Sequence, residues 1–170
     1  MNNRFQIKSI SADELKDFLK KYKPNFDLPK LEYIFDSTLE ICFNQDDVSF
    51  TNVIHACYDA VENKYCAILN IGTAVAVDNL VSINVEFLFI EKEYRGKVFK
   101  ELNNIKLSEF LLMYYVAMNI GLTAKENFGI SILTITPINE KVRKIYESLD
   151  FITIDGSGSK KEEDWMIYYI

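Results

Sequence analysis

The sequence predicts a mixed α/β fold, a single sheet with helices on its faces, in the element order β-α-α-β-β-β-α-β-α-β-β. Three observations point there. Helical apolar spacing in the first quarter gives way to strand-like runs after residue 52. Three long apolar runs in the middle are joined by short polar turns. The second half alternates helical and β-branched segments. All 170 residues suit one domain, with no repeat and no linker rich in Pro, Gly or Ser.

Phe5 and Ile7 alternate with polar neighbours and predict a first strand. Ser11-Ala12-Asp13-Glu14 reads as a capping box, and Leu15, Phe18, Leu19 and Tyr22 then recur at helical spacing until Pro24. Leu31, Ile34, Phe35 and Cys42 predict a second helix from near Pro29. Strands follow over 53–61, 65–77 and 80–90, with turns at Glu62-Asn63-Lys64 and Asp78-Asn79, hence three consecutive antiparallel strands. A helix is expected from about Gly96 to Asn119, and a buried strand over Ile130–Thr136. Val142, Ile145, Tyr146 and Leu149 mark another helix. Phe151–Ile154 and Trp165–Ile170 close the sheet around a loop, Asp155 to Lys160, with Trp165 in the core.

Composition narrows the function. Hydrophobic residues are 49% and charged residues 26%, ordinary for a globular core. The net charge of −6 argues against a nucleic-acid partner, which favours a basic surface. One His and three Cys (Cys42, Cys57, Cys66), with no Cys-x-x-Cys spacing, predict no metal and reduced thiols. Residues 1–10 hold no signal core, and the longest apolar run, Phe110–Met118, has nine residues where a membrane span needs about 20. The expectation is a cytoplasmic protein with no membrane partner.

Two stretches carry chemistry. In Val85 to Lys100 a buried strand leads through a short turn into an expected helix start, whose unpaired N–H groups would hold an anion. Glu91 to Lys100 contains four cations (Lys92, Arg95, Lys97, Lys100) and two anions. In Pro137 to Phe151, Asn139 caps a helix that presents Tyr146, which read by itself is a core aromatic.

Together these stretches resemble the GNAT superfamily of acyl-CoA-dependent N-acyltransferases, most clearly from Val81 to Phe151. Arg95 stands where the family's phosphate motif opens, and Asn139, Tyr146 and Phe151 match its later Asn, Tyr and Phe. Val98 and Lys100 replace the motif's small residues, which let backbone N–H groups close on a pyrophosphate, and Asp150 replaces a Gly. The Arg95–Ile130 segment is longer than in similar proteins.

The resemblance implies acetyl-CoA as co-substrate, held by Leu88, Phe89, Ile90, Arg95, Gly96, Lys97, Val98, Phe99, Lys100 and Asn139. It implies backbone N–H groups of Leu88 to Ile90 as oxyanion donors and Tyr146 as the acid at the departing sulfur. Glu86 is the candidate base, a carboxylate within an apolar strand on the face of Leu88 and Ile90; His55, beside Asp59, is the other.

The expected function is transfer of an acetyl group from acetyl-CoA to a primary amine of a small molecule or protein, with an acidic protein favouring a cationic acceptor. The rival reading is a GNAT-fold binding module with a decayed phosphate loop. An unrelated ligand binder gains if the Arg95–Lys100 turn starts no helix. Apolar residues on several sides of Phe110–Met118 predict a cover, either the Gly121–Gly129 segment folding back or a second subunit in a homodimer.

Overall fold

The computed structural model of the protein describes residues 4–43, 52–75, 79–158 and 164–170. Along them run β1 (Phe5–Ile10), α1 (Ala12–Lys21), α2 (Pro29–Phe43), β2 (Val53–Asp59), β3 (Lys64–Val75) and β4 (Val81–Ile90). A minimal hairpin of β5 (Val98–Phe99) and β6 (Ile105–Lys106) follows, then α3 (Leu107–Phe128). β7 (Ile132–Ile135), α4 (Glu140–Glu147), β8 (Ile152–Thr153) and β9 (Met166–Tyr169) complete the chain. Seven strands hydrogen-bond in the order β1-β2-β3-β4-β7-β9-β8, and β5 pairs with β6 alone. β4 and β7 are parallel, as a helical crossover requires, whereas β1–β2, β2–β3, β7–β9 and β8–β9 are antiparallel.

The chain divides into two compact units, Met1–Gly72 with Glu86–Ser108, and Thr73–Val85 with Glu109–Ile170. In the first, the Ser11 hydroxyl accepts from the Glu14 N–H and the Glu14 carboxylate accepts from the Ser11 N–H, which closes the expected capping box. Leu15 and Phe18 of α1 and Phe35 and Cys42 of α2 pack with Ile54, Ala56, Ile68, Phe87 and Phe89. The Phe26 ring joins them, 4.8 Å from Phe89 and 5.2 Å from Phe35. Each such ring or aliphatic chain removed from water stabilises the fold by about 1.5–3 kcal/mol.

Asp59, at the end of β2, has 0% of its side chain exposed. Its Oδ1 accepts from the Val61 and Glu62 N–H groups at 3.0 and 3.3 Å, closing the β2–β3 turn, where Asn63 takes φ 55°. Arg4 donates Nη2 to Oδ2 at 2.9 Å and Nε to Oδ1 at 3.1 Å, and the Tyr94 hydroxyl donates to Oδ2 at 3.1 Å. Burial by itself pushes the Asp59 carboxyl's pKa up. The Arg4, Glu62, Val61 and Tyr94 bonds outweigh it and hold the carboxyl below its ordinary value.

The helix expected from Gly96 is absent. Lys92–Tyr94 and Lys100–Leu102 are 3-10 turns flanking β5, and α3 begins only at Leu107. Gly96, Asn103 and Asn104 sit at φ 72°, 58° and 62°, left-handed values that no right-handed helix accommodates. Tyr94 and Phe99 are drawn inward, with Phe99 4.9 Å from the Phe5 ring. α3 then runs past Asn119 to Phe128, so the Gly121–Gly129 segment extends the helix instead of folding back. Gly129, at φ 71°, ends it: the Gly129 N–H donates to Lys125 O at 3.0 Å and the Ile130 N–H to Ala124 O at 3.4 Å. The expected Asp78-Asn79 turn falls partly outside the described residues, though Asn79 has φ 61°. Ser159 and Lys160 also lie outside them.

In the second unit, α3 winds more widely over Phe110–Gly121, where the Leu122 N–H reaches Ala117 O. Leu111, Leu112, Val116 and Ala117 form its buried side. A Cβ on Gly121 would lie 2.7 Å from Ile170 Cδ1, so the Ile170 side chain would have to shift to admit one. α3 is long and apolar enough, by length and composition, to cross a membrane; its buried side supplies much of that character. Leu133 and Ile135 of β7 and Met166 of β9 are buried, and Trp165 is half-buried, short of the expected core position.

Two stability measurements follow from this packing. Asp59→Asn should cost about 2–4 kcal/mol at pH 7, because it leaves Arg4 poorly matched. Asp59 has a lowered folded-state pKa, so its contribution is fully present above the unfolded carboxyl value of about 3.9 and is lost as pH falls through the folded one. Urea unfolding from pH 7 to pH 3 should therefore show the gap between the protein and Asp59→Asn narrowing in acid; a gap that stays constant contradicts it. Asn70 stands opposite Ile54, 1% exposed, and neither its Nδ2 nor its Oδ1 has a hydrogen-bond partner among the described residues. Asn70→Leu should raise stability by roughly 1 kcal/mol, read as a higher Tm.

Candidate functional site

β4 presents two unlike sides. Ile83, Val85, Phe87 and Phe89 are buried, while Asn84, Glu86 and Leu88 stand on a more open side that ends at buried Ile90. The parallel ladder with β7 pairs Ile83–Val85 with Leu133–Ile135 and covers no later residue of β4, so Leu88, Phe89 and Ile90 lie beyond it. Glu86 does share a side with Leu88, but it is exposed, and the burial expected of a tuned base is absent. The reason is the two-residue period of a strand. Val85 and Phe87, its apolar neighbours in sequence, point the opposite way. His55 is buried, and burial pushes its pKa down to about 4, which leaves a neutral imidazole and a weak proton acceptor.

The segment after β4 is tied to the α1–α2 connection. Glu91 is buried and accepts from the Tyr22 hydroxyl at 2.6 Å and the Asn25 N–H at 3.4 Å. Burial, then the Glu91 carboxylate, push the Tyr22 hydroxyl's pKa up. Arg95 donates Nε to Ile90 O at 2.6 Å and its two Nη groups to Asp27 at 2.5 and 3.0 Å. That pairing holds the Asp27 carboxyl below its ordinary range. The guanidinium also lies 5.2 Å from the Phe89 ring centre.

The helix start expected of the phosphate cradle is therefore absent. Arg95 clamps the turn, and Phe99 faces the interior against Phe5 and Tyr94. Val98 is exposed and β5 pairs with β6, so this stretch offers no close-fitting nest of backbone N–H groups. Gly96, Lys97 and Lys100 remain exposed, and neither lysine makes an ion pair among the described residues. Five cations and two anions occur from Lys92 to Lys106, so the stretch fits phosphate by charge and not by closeness.

Beside it is a cleft of about 280 Å³ lined by Arg4, Lys64, Lys97, Glu62 and Glu93. Lys64 pairs with Glu93 at 2.7 Å, and Arg4 pairs with Glu101 at 2.9 Å. Neither this cleft nor the Tyr22–Glu91 pair was legible beforehand, because their residues are scattered along the sequence. Among the described residues, no group of three or more His, Cys, Asp or Glu side chains could hold a metal.

The second unit holds Asn139 and Tyr146 together on α4. Asn139 Oδ1 accepts from the Val142 N–H at 2.9 Å and starts the helix as expected. Tyr146 is 7% exposed, its ring 5.8 Å from Phe151, and its hydroxyl makes no hydrogen bond among the described residues. Burial pushes that hydroxyl's pKa up, so it stays protonated. Asp150 takes φ 65°, the left-handed turn a Gly would adopt, and the Phe151 N–H donates to Tyr146 O at 3.1 Å. The replacement of Gly therefore leaves the turn intact.

No protein-family model and no curated protein matches the sequence. Solved structures do match. A Tyr-to-Phe mutant of the AtaT toxin, bound to the C-terminus of the antitoxin AtaR and acetyl-CoA, aligns at TM-score 0.64 and 15% identity, over 98% of this chain and 94% of that one. AtaT complexed with acetyl-methionyl-tRNAfMet aligns at TM-score 0.63 and 15% identity, over 97% and 94%. The KacTA–DNA complex aligns at TM-score 0.65 and 16% identity, over 98% and 93%. The tRNA and DNA complexes overturn the exclusion of nucleic acid. A net charge is a sum over the whole chain and does not forbid local basic stretches such as Lys92–Lys106. An absent helix start after Arg95 would favour an unrelated ligand binder, but a match spanning nearly the whole chain outweighs it. The chain has the GNAT fold of these toxins.

Proposed function

We propose that this protein is an N-acetyltransferase that uses acetyl-CoA, with the amino group of an aminoacyl-tRNA as its acceptor. The observation that carries the reading is the end of the β4–β7 ladder at Val85, while β4 itself continues to Ile90. A strand that runs on past its partner offers, on that edge, alternate backbone N–H groups to a carbonyl oxygen, which suits Leu88 and Ile90 to the oxyanion role. The Phe89 N–H, by contrast, is in step with that of Glu91, which donates to Cys66 O on β3.

Acetyl-CoA supplies a thioester carbon for the amine to attack and a thiolate to leave. Lys97 and Lys100 meet its phosphates by charge, beside the exposed Gly96. Tyr146 holds a proton at its Oη, kept there by burial, for the departing sulfur. Asn139 positions Tyr146 by fixing where α4 begins. Glu86, exposed on the open side of β4, relays the amine's proton to water.

The acceptor follows from the exposure of that carboxylate. An α-amino group has an ordinary pKa of about 8, whereas a lysine or polyamine amine lies near 10.4. A site whose carboxylate is exposed is better matched to the less basic amine. The tRNA complex of the fold-related AtaT and the basic Lys92–Lys106 stretch support the same acceptor class.

Release of free thiol from acetyl-CoA, measured with aminoacyl-tRNA, a polyamine and a lysine peptide in parallel, tests the proposal. Aminoacyl-tRNA should be turned over fastest. Tyr146→Phe should lower kcat by about 10²–10⁴-fold with little change in KM. No turnover with any amine would leave the binding-module reading in its place.

A further inference from the structure

We propose that Asp27 is a positioning residue for acetyl transfer: through Arg95 it keeps the Ile90 carbonyl occupied and the Ile90 N–H aimed at the developing oxyanion. The proposal rests on the acetyltransferase reading above. It starts from one peptide bond. The Glu91 N–H donates to Cys66 O on β3 at 2.9 Å. No peptide bond among the described residues is cis, and a trans peptide points its C=O and its N–H opposite ways, so Ile90 O faces the edge away from β3. The Ile90 N–H lies on that same edge, because the N–H and C=O of one strand residue share a side. The edge thus holds a donor suited to an oxyanion and, beside it, a carbonyl whose partial negative charge repels one.

Arg95 resolves that conflict. Its Nε donates to Ile90 O at 2.6 Å. An arginine side chain has many rotamers, and one hydrogen bond does not fix it. Asp27, in the connection between α1 and α2, accepts from both Nη groups at 2.5 and 3.0 Å and so sets the plane of the guanidinium. The Phe89 ring centre, 5.2 Å away, limits it from another side. The same connection holds the next residue, since Glu91 accepts from the Tyr22 hydroxyl and the Asn25 N–H. Arg95 and Asp27 are 36% and 41% exposed, and an ion pair so open to water contributes little to stability. Its use is geometric. As the amine nitrogen bonds to the thioester carbon, the carbonyl electron pair moves to oxygen, where the Ile90 N–H meets it. The pair returns as the C–S bond breaks and the sulfur leaves with the bonding electrons; the amine loses one proton and the sulfur gains one.

Two measurements on the full chain test this: thiol release from acetyl-CoA with aminoacyl-tRNA, and infrared spectroscopy of bound acetyl-CoA isotope-labelled at its thioester carbonyl. In the parent the bound carbonyl should stretch at lower frequency than in free acetyl-CoA. Asp27→Ala should lower kcat by about tenfold or more, leave KM for acetyl-CoA within about twofold, and return the stretch towards its free value. Arg95→Lys keeps the charge but not the two-point grip and should do the same. The double variant should be no worse than either single one, because both act through one contact. Asp27→Glu should recover most of the loss, and thermal unfolding of each variant should stay near that of the parent. Parent kcat in Asp27→Ala and Arg95→Lys, or a loss carried by KM alone, overturns the proposal and leaves the acetyltransferase reading standing. A parent that binds acetyl-CoA but turns over no amine overturns that reading; the infrared shift then supports the proposal if Asp27→Ala abolishes it and overturns it if the shift persists. A parent that binds no acetyl-CoA overturns both.

Discussion

The buried carboxylate of Asp59 organises the first unit. It is reached by Arg4, which precedes β1, by two backbone N–H groups of the β2–β3 turn, and by Tyr94 of the turn that follows β4. Three stretches distant in sequence thus meet at one pair of oxygens. Taking a carboxylate out of water is costly, and the site tolerates it because a guanidinium and several donors satisfy both oxygens. Tyr94, Phe99 and Phe5 pack around the same point, so polar and aromatic contacts agree on where the segment after β4 must go.

That placement shapes the chemistry. With Tyr94 bonded to Asp59, Glu91 to Tyr22 and Arg95 to Asp27, residues 91–95 are held at three points and cannot continue as a helix. In the proposed function, phosphate recognition then falls to the exposed lysines Lys97 and Lys100. Charge acts over several ångströms and tolerates poor geometry, but salt screens it. Tyr146 shows the complementary case, where burial without a hydrogen-bond partner among the described residues keeps a phenol protonated.

Much of the fold was legible because its signals are local. The Ser11–Glu14 capping box, the Asn139 cap and the turn at Asn63 are each written in a few adjacent residues, and each is present. The helix expected at Gly96 was not legible in the same way. Two adjacent asparagines in left-handed conformation and the inward pull of Tyr94 and Phe99 are tertiary facts. The burial expected of Glu86 is absent because apolar neighbours in a strand bury themselves, not the residue between them. Nucleic acid was excluded from a net charge that hides the Lys92–Lys106 stretch.

The central claim is that this fold still binds acetyl-CoA although its phosphate loop lacks close-fitting glycines. Titration calorimetry of the intact protein with acetyl-CoA at low and high salt tests it most directly. The account predicts saturable one-to-one binding at low salt that weakens by tenfold or more in high salt, because Lys97 and Lys100 act through charge. An absence of saturable heat at low salt would contradict it.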